Sequence, residues 1–127
     1  MKNEPRKAAD MLPLTPAVLH ILLALADGER HGYGIMQEVT RRAEGQVKMG
    51  PGTLYGSIKR MLADGLIEET GERPDPALDD ERRRYYRLTG FGLRVMRAEV
   101  VRLQQIVRLA QSKQVMGGGS EAIGGAL

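Results

Sequence analysis

A chain of 127 residues allows one domain of ordinary size with a modest core, plus tails. It contains no cysteine, which excludes a disulfide framework, a thiol nucleophile and a zinc–cysteine site, and makes a reducing cytosol the simplest expectation. The net charge of +3 is too small to diagnose a nucleic-acid partner, so the distribution of charge must carry that argument.

Residues 1–13 are charged and broken by Pro5 and Pro13, which predicts a flexible arm with a helical turn or more around Lys7 to Leu12. Nothing there reads as a signal peptide. Thr15-Pro16 starts the first helix: Thr15 is a good N-cap, Pro16 suits the first helical position, and Leu14 can staple to Leu19. The helix runs to Ala26 and is apolar almost all round, which places it at the centre of a core. The apolar stretch Val18 to Ala26 is interrupted by His20 and falls far short of the about 20 residues that cross a bilayer, so no membrane partner is expected.

Asp27-Gly28-Glu29-Arg30 reads as a turn. A second helix follows from Gly32 to about Ala43, with Ile35, Met36, Val39 and Ala43 inward and Gln37, Glu38, Arg41 and Arg42 outward. Gly32 and Gly34 at its start each cost about 0.5 to 1 kcal/mol relative to alanine in a helix interior, which suggests that something approaches closely. Another helix or a sugar-phosphate backbone would fit equally. After the Glu44-Gly45 break, Val47 to Met49 reads as a short extended piece.

The run Gly50 to Glu69 is the most informative in the chain. Leu54, Ile58, Met61 and Leu62 share one face of a helix, while Thr53, Gly56, Lys59 and Arg60 lie on the other. Asp64-Gly65 ends the helix, with Gly65 suited to the left-handed residue after a helix C-terminus, and Leu66-Ile67 opens an extended run. Helix, tight turn and strand in this order read as a DNA-recognition helix leading into a wing. A helix enters the major groove when its outward face is small at the point of closest approach and carries side chains that reach phosphates and base edges. Gly56 supplies the small centre. Thr53 and Ser57 can donate or accept at bases or phosphates, Lys48, Lys59 and Arg60 can neutralise phosphates, and Tyr55 can set its hydroxyl on the backbone at the rim.

The wing has a first strand at Leu66 to Thr70, a loop at Gly71 to Glu81 marked by Pro74 and Pro76, and a second strand at Arg82 to Leu88. Alternation puts Tyr86 and Leu88 on one face and Tyr85 and Arg87 on the other, so one tyrosine packs inward and its neighbour stays near solvent. From Met61 to Glu81 eight acids face one base, whereas from Arg82 to Lys113 nine bases face one acid. The acidic tip, Glu72, Asp75, Asp79, Asp80 and Glu81, would be repelled by phosphates, so contact is expected only from the basic flank Arg82, Arg83 and Arg84.

Thr89 caps a last helix, Gly90 to about Ser112. Leu93, Met96, Val100, Leu103, Val107 and Ala110 are spaced three, four, three, four, three, the seam of a coiled coil over about two and a half heptads. Phe91, Val95, Val101, Ile106 and Leu109 form a second apolar stripe. One stripe serves the helix's own domain, and the simplest partner for the other is the same helix of a second copy. Residues 113–127 have five glycines in the last eleven positions and no periodicity, and are expected to form a disordered tail. The fold class is therefore mainly α with a two-stranded β wing: an arm at 1–13, a winged helix-turn-helix at 14–89, a dimerisation helix at 90–112 and the tail.

Four motifs in this order resemble the PadR family of bacterial transcriptional regulators. They are His31-Gly32-Tyr33-Gly34-Ile35, Thr53-Leu54-Tyr55, Arg60 to Ile67, and Arg82-Arg83-Arg84-Tyr85-Tyr86-Arg87-Leu88-Thr89 followed by Gly92. The similarity spans roughly residues 14 to 110. It implies a homodimeric repressor on an inverted-repeat operator in double-stranded DNA, in many members released by a small-molecule effector, and it adds weight to Tyr33, Thr53 and Tyr55 as DNA contacts. The family often has proline where this chain has Gly56, so its base contacts need not carry over there. Some members stack planar ligands on aromatic residues of the last helix, where this chain offers only Phe91. The competing expectation is a dimeric winged-helix adaptor that docks another protein, whose recognition face would be acidic or apolar. Thr53, Lys59 and Arg60 do not provide such a face.

Catalysis is not expected. His20 reads as a helix-surface imidazole and His31 as an N-cap, and neither has a carboxylate or histidine at metal spacing. The glycines of Gly50 to Gly56 miss the dinucleotide fingerprint by one residue and lack a βαβ unit, so no cofactor is expected.

Overall fold

The structure, a computed structural model, describes residues 7–42, 47–74 and 82–114. In chain order these residues form a short 3-10 turn (Ala8–Met11), α1 (Pro16–Leu25), β1 (Arg30–His31), α2 (Gly32–Arg42), α3 (Pro51–Ala63), β2 (Ile67–Pro74), β3 (Arg82–Leu88) and α4 (Gly90–Ser112). The expected glycine-rich tail from residue 115 and the acidic positions Asp75, Asp79, Asp80 and Glu81 lie outside the described residues.

Helix α1 starts where its chemistry dictates: the Thr15 hydroxyl accepts the Val18 amide at 3.2 Å and Pro16 fills the first helical position. It lies among α2, α3, α4 and β3, and its Ile21 and Leu22 are completely buried. Ile35, Leu54, Met61, Leu66, Ile67 and Val95 complete the core around them. The helical turn expected near Lys7 to Leu12 is the 3-10 turn, and Met11 and Leu12 pack against the core, so this part of the arm is docked onto the domain.

The sheet is antiparallel and three-stranded in the order β1-β3-β2, where two strands were expected. Arg30, the last residue of the expected turn, and His31, the expected N-cap, form β1, with Arg30 opposite Tyr86 and His31 opposite Tyr85. A strand of two residues has no periodicity of its own; the free edge of β3 creates it. The wing is also longer than expected. Gly71 adopts φ +122°, the register shifts between Glu69 and Gly71, and the ladder then resumes through Glu72–Arg84, Arg73–Arg83 and Pro74–Arg82. A glycine-assisted bulge extends a strand past a residue that would otherwise read as the start of a loop.

Thr89 ties the end of α3 to the start of α4. Its hydroxyl donates to the Gly65 carbonyl at 2.5 Å and accepts the Gly92 amide at 2.9 Å, while its own amide donates to the Leu66 carbonyl at 3.1 Å. Gly92 is pressed against that same Leu66 carbonyl, so a Cβ at position 92 would collide with backbone that cannot give way.

Two charged side chains are buried, one of them against the expectation from helix periodicity. Glu38, on the outward stripe of α2 by spacing, is 6 % exposed and pairs with Arg41, Arg42 at 2.8 Å and Arg30 at 3.7 Å. The Arg41 hydrogen bond, working against burial and joined by the charges of Arg41, Arg30 and Arg42, holds its carboxyl below the usual range. Glu99 of α4 is 1 % exposed; it accepts Arg102 Nε at 2.5 Å and the Leu14 amide at 2.9 Å. The Arg102 hydrogen bond dominates burial and, with the Leu14 amide, keeps this carboxyl ionised below its ordinary pKa. Both acids are compensated, which is what makes their burial tolerable.

Candidate nucleic-acid interface

Helix α3 ends in a Schellman motif. The Leu66 amide donates to the Met61 carbonyl at 2.9 Å and the Gly65 amide to Leu62 at 3.1 Å, with Gly65 at φ +75°. This fixes the angle at which the chain leaves the helix and enters the wing. Leu54, Ile58 and Met61 are buried, whereas Thr53, Gly56, Lys59 and Arg60 are exposed and Ser57 is half-buried, so the helix presents the face that its periodicity marks out. Lys48 is exposed two residues before the Gly50 N-cap. No atom comes within 4 Å of the position a Cβ would take at Gly56, so the fold itself does not demand glycine there.

The close approach suspected at Gly32 comes from inside the chain. A Cβ built on Gly32 would lie 2.7 Å from the Tyr55 hydroxyl and 2.9 Å from its ring, so the tip of this side chain rests on the first turn of α2. Tyr55 is nonetheless 50 % exposed and Tyr33, one residue after Gly32, 44 % exposed. Neither is a core residue. The Arg83 guanidinium stands over the Tyr33 ring at 5.3 Å, a cation–π distance, which brings the wing to the start of α2. His31 supports the same corner: its Nδ1 accepts the Gly34 amide at 2.9 Å, and its ring meets Tyr85 edge-on at 5.3 Å.

The arginines of β3 are not equivalent. Alternation sends Arg83 and Arg84 to opposite faces. Arg84 lies 3.4 Å from Glu72 and 3.9 Å from Glu69 of the neighbouring strand, and these carboxylates, the Glu72 hydrogen bond first, raise its pKa further. Arg87 pairs with Glu68 at 2.6 Å. Arg82 opens β3 opposite Pro74. Tyr86 is buried, and that burial, with the nearby Glu69 charge, pushes its phenol up. Among the described residues, Arg83 is thus the arginine of this flank that faces the Tyr33 corner, while Arg84 is engaged within the hairpin. Sequence reasoning grouped the three arginines because it did not set the acids of β2 opposite them in register.

The predicted seam of α4 is divided by the domain edge. Leu93 and Met96 pack against the protomer's own core, whereas Val100, Leu103 and Val107 are 37, 36 and 45 % exposed and Ala110 is half-buried. Val101, Ile106 and Leu109 are also exposed, at 50, 49 and 57 %. Beyond Glu99 the helix therefore carries its apolar side chains outside the domain. Among the described residues no group of three or more histidine or acidic side chains is placed to hold a metal ion, and no helix is long and apolar enough to cross a membrane.

Residues 21–98 match the family described as the transcriptional regulator PadR-like family. The chain belongs to this family. It is 34 % identical over 106 residues to transcriptional regulator Rv3488 of Mycobacterium tuberculosis, covering 84 % of this chain and 88 % of that protein. Among solved structures it resembles a PadR family transcription regulator from Clostridium difficile R20291, at 24 % identity and TM-score 0.66 over 79 % of this chain and 99 % of the other. It also resembles Bacillus subtilis PadR in complex with operator DNA, at 19 % identity and TM-score 0.61 over 70 % of this chain and 49 % of that one. The PadR-like winged-helix fold thus accounts for the helices and the small antiparallel sheet described above.

Proposed function

We propose that this PadR-like regulator is a homodimeric repressor that binds an inverted-repeat operator in double-stranded DNA. The observation that carries the reading is the outward face of α3. Thr53, Gly56, Lys59 and Arg60 are exposed together, the centre of that face has no side chain, and no ion pair among the described residues engages Lys59 or Arg60. Cations left without carboxylates are available to phosphates, in contrast to Arg84 and Arg87 of the wing. The operator DNA bound by the Bacillus subtilis relative supports the same assignment. Tyr55 projects from the first turns of the helix, Tyr33 and Arg83 flank it, Lys48, Ser57 and Arg82 are further contacts, and Arg84 reaches DNA only by leaving Glu69 and Glu72. The exposed seam Val100, Leu103, Val107 and Ala110 supplies the self-complementary surface of a two-fold dimer, with Leu93 and Met96 anchoring the helix to each domain. An aromatic effector sandwiched between the last helices is disfavoured, because Phe91 packs on its own core.

Salt dependence tests the reading. A dimer that neutralises about six to ten phosphates loses log affinity against log salt with a slope of roughly five to nine on B-DNA. On a duplex from the chain's own upstream region we expect a slope in that range, flattened in Arg60→Ala. A slope near zero in the parent protein overturns DNA binding.

A further inference from the structure

We propose that Gly32 is a positioning residue for operator recognition: lacking a side chain, it lets Tyr55 of the recognition helix rest on the first turn of α2, which sets Tyr55 and Tyr33 at a fixed spacing. The inference rests on the DNA-binding reading above and adds a residue that touches no DNA in it. Gly32 is buried, and the Tyr55 hydroxyl, Cε1 and Cζ would stand 2.7, 2.9 and 3.0 Å from a Cβ at this position. Contacts below 3.0 Å cannot persist, so one partner must move. The backbone of α2 is held by the His31 cap on the Gly34 amide and by the pairing of Arg30 and His31 with β3. Tyr55 is half-exposed and projects its tip at Gly32, so the tyrosine is the part free to swing away.

The consequence is specific. Gly32 has no left-handed backbone angle that would require glycine, and alanine is the better helix former. Gly32→Ala should therefore fold as well as the parent, yet displace Tyr55 from its seat on Gly32, the residue before Tyr33. The chain accepts a poorer helix former at the start of α2, and the gain is a pre-set pair of phenols, one on the recognition helix and one on α2. Pre-setting side chains that would otherwise be ordered on binding raises affinity without any new contact.

The test is a double-mutant cycle on the parent, Gly32→Ala, Tyr55→Ala and the double variant, measured by fluorescence anisotropy on a labelled upstream duplex across a salt series, with melting followed by circular dichroism. We expect Gly32→Ala to weaken binding about tenfold with an unchanged salt slope, since no cation is lost, and with melting at or above that of the parent. In the Tyr55→Ala background the alanine at 32 should add no further loss. Equal affinities of parent and Gly32→Ala, or a full additive loss in the double variant, would overturn the inference while leaving DNA binding intact. Were Gly32→Ala unfolded, the double variant must recover folding, because the crowding ring is gone; failure to recover would show that Tyr55 is not what Gly32 accommodates. A parent that does not bind the duplex removes the DNA reading and this inference with it.

Discussion

Leu103→Asp should convert the protein to folded monomers whose operator binding is far weaker. Leu103 is 36 % exposed on the protomer, so an aspartate there is solvated in the free chain and the domain, whose core ends near Glu99, should melt as before. In a two-fold seam the same substitution buries a carboxylate from each copy among apolar side chains, with no cation among the seam positions to compensate. An unpaired buried charge costs about 3 to 5 kcal/mol, which at 1.4 kcal/mol per tenfold lowers dimer affinity by roughly a hundredfold or more. Each monomer would then engage a single half-site. Sedimentation and a binding isotherm check this; a variant that remains dimeric with parental affinity would mean that another surface holds the pair.

Gly56→Leu should separate reading of the groove from attraction to phosphate. A Cβ at this position meets nothing within 4 Å, and leucine favours helix over glycine by roughly 0.6 to 1 kcal/mol, so folding should be retained or improved. Every lysine and arginine stays in place. A bulky side chain at the centre of the exposed face nevertheless holds the helix away from base edges. The variant should lose most of its preference for operator over random duplex, a difference of about 4 to 10 kcal/mol in specific systems, while its nonspecific binding stays salt-sensitive. Competition between the two duplexes at one salt concentration decides the matter. A folded variant that discriminates like the parent would place the DNA-facing side of α3 elsewhere.

What was legible in the sequence is what local chemistry determines. The capping of α1 by Thr15, the stop of α3 at Asp64-Gly65, the faces of α3 and the division of Tyr85 and Tyr86 between two faces follow from hydrogen bonding and periodicity over a few residues. What was not legible depends on distant segments. Strand β1 exists because β3 offers an edge to Arg30 and His31, and β2 runs on to Pro74 because a bulge at Gly71 restores its register. Glu38 and Glu99 break the rule that charges face outward because arginines from neighbouring turns or elements reach them. The even spacing of the α4 seam does not show where the domain ends, so Leu93 and Met96 look equivalent to Val100 and Leu103 until packing separates them. The two glycines of the α2 start signalled a close approach, but only the folded chain identifies Tyr55 as what approaches Gly32.

The central claim is that the exposed face of α3 reads a DNA sequence. Its most direct measurement is competition on the parent protein: a labelled duplex from the chain's own upstream region, displaced by the same duplex unlabelled or by a scrambled one of equal length and composition, at a single stated salt concentration. Sequence-specific binding predicts that the scrambled competitor is needed at on the order of a thousandfold higher concentration or more. Equal displacement by both duplexes would contradict it, leaving a basic surface that holds DNA of any sequence.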